Sequence, residues 1–155
     1  MRKAIAAIIV ICALTTLFAV SGYGAEYFII CNPSSCVCVR RSPKKGADVT
    51  GRLDCGDEIE TDNRERNGYI HVLGITEYGE GWVHSGYVVE DKPVIERCMA
   101  SVAAPGRVAA RRFVNGKRLR WLNVCMDVRV YARSAEWTVT SKGFVKTMYL
   151  EFWNE

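Results

Sequence analysis

The stretch "GWVHSGYVVE", residues 81–90, decides how this chain is read, because "GFVKTMYLEF", residues 143–152, repeats its pattern. Both run Gly, aromatic, Val, three variable residues, Tyr, aliphatic. Working backwards, "GYIHVLG" (68–74) faces "EWTVTSK" (136–142), pairing Tyr69 with Trp137 and His71 with Val139. "RLDCGDEIET" (52–61) faces "WLNVCMDVRV" (121–130), and "VCVRR" (37–41) faces "VAARR" (108–112). The order is kept and the spacing slips only where loops belong, which is the mark of a duplicated unit.

Each copy reads as short strands. "VCVRR", "EIETD", "YIHVL" and "WVH" alternate or run apolar and are rich in β-branched and aromatic residues. Turn signals separate them: "SPKKGAD", "DCGD", "RERNG" and "EYGEG". After residue 25 no stretch holds a helical period. About five short strands in so small a unit predict a closed barrel, since closure removes sheet edges. The expected fold is all-β: two tandem small barrels behind an N-terminal leader.

That leader is residues 1–25. Arg2 and Lys3 precede an uncharged run from Ala4 to Val20, and small residues follow from Ser21 to Ala25. The order is that of a secretory signal peptide, with an uncleaved membrane anchor as the alternative. The first unit is expected over 26–90 and the second over 94–155, joined by Glu90-Asp91-Lys92-Pro93.

The first unit resembles the bacterial SH3-like domain. The resemblance rests on Val39-Arg40, Pro43, Val49, Gly51, Leu53, Gly56-Asp57, Tyr69, Val72, Gly81-Trp82-Val83 and Tyr87-Val88. The second unit, residues 108–151, resembles the same pattern more weakly. Arg120 stands where the pattern has Gly, and the loop after "RR" shrinks to Phe113-Val114-Asn115-Gly116-Lys117. Asn115-Gly116 predicts a type I′ turn there in place of an open arm. The resemblance implies an extracytoplasmic, non-catalytic module that holds cell-wall peptide or glycan-peptide, or that docks an envelope protein. It implies no cofactor, and export argues against nucleic acid. Membrane contact would come only through an uncleaved leader.

Catalysis has little to rest on. His71 and His84 are the only histidines, and no nucleophile, base and orienting group stand together. The acids of "DCGDEIETD" are expected on a turn and an outward strand face. Binding has more. A small barrel binds between its arm-like loop and distal hairpin, on aromatics. This nominates Tyr78, Trp82 and Tyr87, with Arg41, Lys44 and Lys45 at the rim.

Charge divides the chain. Residues 25–90 carry seven Lys and Arg against eleven Asp and Glu; residues 91–155 carry twelve against six. Arg111, Arg112, Lys117, Arg118 and Arg120 form a candidate basic patch, either for an anionic polymer or for packing against the acidic unit. Trp121 replaces Arg52 on an outer face, where it would be exposed.

Six cysteines follow the leader, an even number in an exported chain, which predicts disulfides. Placed by the repeat, they predict Cys31–Cys55 and Cys98–Cys125, each tying an entry segment to a turn. Cys36 and Cys38, two apart on one strand, are left over as free thiols or bridges to a partner chain, the alternative being that one of them replaces Cys31 as the partner of Cys55. A metal site is not expected, because C-x-C lacks a second ligand pair or a nearby His.

Overall fold

In the computed structural model, residues 25–75 and 79–153 are described. The leader, Tyr78 and the cleavage region lie outside them. The described chain is all-β, in two sheets.

The first sheet holds β1 (Ala25–Ile29), β2 (Val37–Arg40), β3 (Val49–Leu53), β4 (Glu58–Arg66), β5 (Tyr69–Ile75), β6 (Gly79–His84) and β7 (Val88–Val89). Its order is β3-β2-β6-β5-β4-β1-β7. The second holds β8 (Val94–Ile95), β9 (Met99–Val102), β10 (Val108–Arg111), β11 (Arg118–Leu122), β12 (Asp127–Arg133), β13 (Trp137–Thr140), β14 (Gly143–Lys146) and β15 (Leu150–Phe152). Its order is β11-β10-β14-β13-β12-β9-β15, with β8 added on β12. Strand for strand the two orders coincide. A 3-10 turn occupies the same place in each, Ser85–Tyr87 and Thr147–Tyr149.

Neither sheet closes through hydrogen bonds, which corrects the expectation of closed barrels. The first path ends at β3 and β7. The second ends at β11 and β15, and among the described residues no pairing joins the two ends of either path.

Alternation explains the strands. β2 and β10 both bury every second residue: Val37 and Val39 in one, Val108 and Ala110 in the other. At about 1.5–3 kcal/mol for each fully buried aliphatic side chain, such positions set the register. Asn67 and Gly68 both adopt positive φ, 54° and 75°, and turn β4 into β5, as an Asn-Gly hairpin requires. The second Asn-Gly behaves differently from the expected type I′ turn. Asn115 has φ 53°, but the closing bond runs from Gly116 N to Phe113 O at 2.9 Å. The turn is centred on Val114-Asn115, with positive φ only at its third residue, as in type II.

One apolar cluster joins the sheets. It contains Ile29, Ile30, Val39, Leu53, Ile59, Val72 and Val83 from the first, and Ala132, Trp137, Val139 and Phe144 from the second. A separate cluster around Val102, Leu122, Val128, Val130 and Val145 fills the second sheet. The joint is therefore apolar. Every ion pair found among the described residues lies within one half of the chain: Asp62 with Arg64 and His71, His71 with Glu80, Glu96 with Arg133, and Glu136 with Lys146. The opposite net charges of the halves do not meet in an ion pair there.

Candidate ligand-binding site

A pocket of about 360 Å³ opens beside β2. One side is the loop after β2. Arg40 Nη1 donates to Ala47 O at 2.7 Å and Asn67 Nδ2 donates to Pro43 O at 3.2 Å, and both pin that loop. Arg40 and Lys45 line this side. The opposite wall is aromatic. Tyr69 meets His84 edge-on with centroids 5.2 Å apart, and His84 lies 5.8 Å from Tyr87.

His84 carries the corner. It precedes the 3-10 turn, and its Nδ1 accepts the Gly86 amide at 3.1 Å. In the neutral ring this places the proton on Nε2. Burial holds the His84 pKa below its ordinary value. Burial likewise pushes the Tyr87 hydroxyl up, against the pull of Arg112.

The second sheet supplies the remaining wall. Phe113 packs on His84 at 4.4 Å and on Tyr87 at 6.2 Å, and Val114 N donates to Gly86 O at 2.9 Å. Two glycines make room for the ring. A Cβ at Gly86 or at Gly116 would stand 2.4 Å from Phe113 Cδ2, inside any real contact. Arg112, next along, also lines the pocket.

Four of the six cysteines gather here. Cys31, Cys36 and Cys38 line the pocket and Cys55 lies behind Cys31. No S–S bond joins Cys31 to Cys55, contrary to the disulfide expectation. Their thiols share a hydrogen bond, and Cys31 Sγ also reaches Ser35 O at 3.6 Å. The bond shared with Cys55, reinforced by burial, pushes Cys31 up. The same bond draws Cys55 down to about 7.

The Cys98–Cys125 expectation fails on register. Cys98 O accepts from Val130 N, while Cys125 N donates to Val102 O. Four strand residues separate the two, roughly 13 Å at strand rise, beyond the reach of a disulfide. The matching bonds Gly56 N to Ile29 O and Ile30 N to Tyr87 O have their counterparts in Cys125 N to Val102 O and Ala103 N to Tyr149 O. Ala104 is therefore the counterpart of Cys31, and Cys125 that of Gly56. Both turn residues have positive φ, 59° and 94°. Cys98 Sγ donates to Glu96 Oε2 at 3.7 Å.

Of the nominated contacts, Tyr87 and Lys45 line the pocket. Arg41 and Lys44 are exposed outside it. Trp82 lies one step along the same sheet face, against His71 with centroids 4.9 Å apart. The basic patch is divided. Arg111 Nη1 donates to Gly116 O and holds the turn, and Arg112 enters the pocket. Lys117, Arg118 and Arg120 stay exposed at β11 or beside it, with Arg118 4.4 Å over the Trp121 ring. His84 and Phe113 were not nominated. The Gly-aromatic-Val-His order places His84 on the outer face beside Trp82, but nothing local announces that Phe113 crosses to another sheet.

A second polar group sits around His71. Its Nδ1 lies 3.0 Å from Asp62 Oδ2 and 2.7 Å from Arg64 Nη2. Protonated, that nitrogen donates to Asp62; bare, it accepts from Arg64. Burial pushes the Asp62 carboxyl up, but hydrogen bonds from Arg64 and His71 together take it below its ordinary value. Trp82 covers the ring, and the Asp62, Arg64 and His71 contacts tie β4 to β5. In the pocket, neither Cys36 nor Cys38 is hydrogen bonded to His84 among the described residues.

This outer face on β5 and β6, with its loop and 3-10 turn, falls within one matched segment. Residues 37–89 match the family model of the bacterial SH3 domain. The pocket's loop, aromatic wall and His84 all lie inside that SH3 match; Cys31, Ser35, Cys36, Arg112 and Phe113 lie outside it. A search of curated proteins finds no match. Among solved structures, NlpC1 from Trichomonas vaginalis is similar at 15% identity and a TM-score of 0.34, over 87% of this chain and 49% of that one. NlpC2 from the same organism is similar at 12% identity and a TM-score of 0.33, over 86% and 50%. The chain thus spans about half the length of these two structures, and the likeness is too slight to carry a functional argument.

Proposed function

We propose that the protein is an exported, non-catalytic binding protein that holds a peptidoglycan peptide in the pocket beside β2. In this reading residues 1–25 are a leader, and residues 26–90 and 94–155 are two SH3-like units. In the first, the long loop after β2 walls the pocket; in the second, that loop is cut to the Phe113–Gly116 turn. The observation that carries the proposal is the pocket's composition: an aromatic wall of Tyr69, His84 and Tyr87 facing a pinned, cationic loop. Concave apolar walls with a few convergent polar groups are what small-ligand sites share. The two thiols near His84 lack the contact a nucleophile needs.

The test is co-sedimentation of the exported protein with purified peptidoglycan. The protein is expected in the pellet, and the wall is expected to release no new soluble fragments. A protein that stays in the supernatant would favour an adaptor that docks another envelope protein. New fragments would make it a hydrolase. N-terminal sequencing of the same sample should start between residues 22 and 26.

A further inference from the structure

We infer that the pocket takes a free carboxylate of its peptide ligand, and that Arg112, delivered by the second sheet, is one of the groups that bind it. The inference rests on the function proposed above and names the chemistry of the same site.

Three observations carry it. First, the pocket's charged lining is of one sign. Arg40, Lys45 and Arg112 line it, and no Asp or Glu does. This is notable in a half of the chain where acids outnumber bases eleven to seven. The acids of the first sheet are elsewhere: Glu58 and Glu60 are exposed along β4, and Asp62 is held by His71 and Arg64. A concave site lined by one sign of charge concentrates ligands of the other.

Second, the cations are not all used up by the fold. Arg40 donates through one guanidinium nitrogen to Ala47 O, leaving its other donors. Arg112 is exposed and its backbone N, rather than its side chain, makes the fold contact, to Lys117 O at 3.0 Å. A guanidinium with free donors fits a carboxylate in bidentate fashion.

Third, Arg112 is held in place. Phe113, the next residue, is seated between Gly86 and Gly116 and meets His84 edge-on, and Val114 N is bonded to Gly86 O. The turn that follows Arg112 is therefore anchored to the first sheet by the Phe113 ring and by the Val114 bond. The second copy has lost its open arm, and the shortened loop has become a wall of the first copy's site.

A peptide offers two kinds of carboxylate, at its C-terminus and on acidic side chains, and the same chemistry would bind either. The test uses calorimetric titration of the full exported protein with three synthetic stem pentapeptides: the free acid, its C-terminal amide, and the form with D-isoglutamine in place of D-glutamate. Expected is a loss of about tenfold on one of the two amidations, as for a hydrogen bond to a charged group. Arg112→Gln should lose a similar factor toward the free acid and should no longer discriminate that amide. Arg112→Lys should recover part of the affinity. Arg120→Gln, which removes the same charge from exposed β11, should bind like the parent. Equal binding of all three peptides by the parent would overturn the carboxylate and leave the function standing. Discrimination that survives in Arg112→Gln would overturn the role of Arg112. Binding of none of the peptides by the parent would overturn the function and the inference together.

Discussion

The two sheets share a strand order and differ in what their outer face does. In the first, Tyr69, His71 and Trp82 face outward, with His71 and Trp82 opposite each other on β5 and β6. In the second, Trp137, Val139 and Phe144 hold the corresponding places, with Val139 opposite Phe144 on β13 and β14. The His and the Trp have become Val and Phe. All three replacements are buried and belong to the cluster that joins the sheets. The shared topology needs only the inner alternation. The outer face is free to change, and here one copy kept it for a pocket while the other turned it into a docking surface. The loops diverged in the same direction: Ser42–Ala47 is pinned open at the pocket, while Phe113–Gly116 is drawn across to the partner sheet.

The comparison can be broken most strongly at the joint. Phe113→Ala should destabilise the protein by about 2–3 kcal/mol, somewhat less than for a fully buried Phe. Lys44→Ala, in the corresponding loop of the first sheet, should fall within about 0.5 kcal/mol of the parent. Urea unfolding of both variants checks this, and equal effects would mean the two loops do the same job.

An exchange of face residues comes next. Val139→His puts a polar ring into an apolar joint without an Asp62 or Arg64 to meet it, and should cost about 2 kcal/mol. His71→Val should cost less than about 1 kcal/mol, because Asp62 keeps Arg64 and stays near solvent. If the two substitutions cost the same, the faces are not specialised.

Acid should reveal the corner residue. His84 has a lowered pKa in the folded protein, so its contribution to stability is complete above about pH 6.5, the unfolded value. It is lost as pH falls from there toward the folded value, because the unfolded chain takes up the proton first. The melting temperature should drop as pH falls below about 7. In His84→Asn, which keeps an acceptor for the Gly86 amide, that part of the drop should vanish. An unchanged profile would show that His84 does not titrate in the joint.

The smallest effect is expected at Trp121. Trp121→Arg restores the residue that stands at the matching place in the first sheet. Trp121 is 46% exposed, so thermal unfolding should shift by no more than about 0.5 kcal/mol.

Much of this was legible beforehand, for physical reasons. Strand order follows from the inner alternation and the turn residues, and both copies keep them. The pairing of Tyr69 with Trp137 and His71 with Val139 was readable from the repeat, and the gain of apolar character at those places was the trace of the joint. The disulfide expectation failed at Cys98, because spacing along the chain does not give strand register: hydrogen bonds make Ala104 the counterpart of Cys31. The pocket was only half legible. Tyr87 and Lys45 lie on elements that point to a groove, but Arg112 and Phe113 reach it from the other sheet. Closure was not legible because it depends on which strand ends meet in space, and the last strands, β7 and β15, pair only with β1 and β9.

The most direct test of the central claim is amide chemical-shift mapping of the full protein with the free-acid stem pentapeptide. The expected shifts are at Lys45, His84, Tyr87 and Arg112, spanning both sheets around one pocket. The corresponding residues of the second copy, Lys146 and Tyr149, should stay still. Shifts confined to Arg118, Arg120 and Trp121 on β11 would contradict the account by placing binding on the exposed edge of the second sheet.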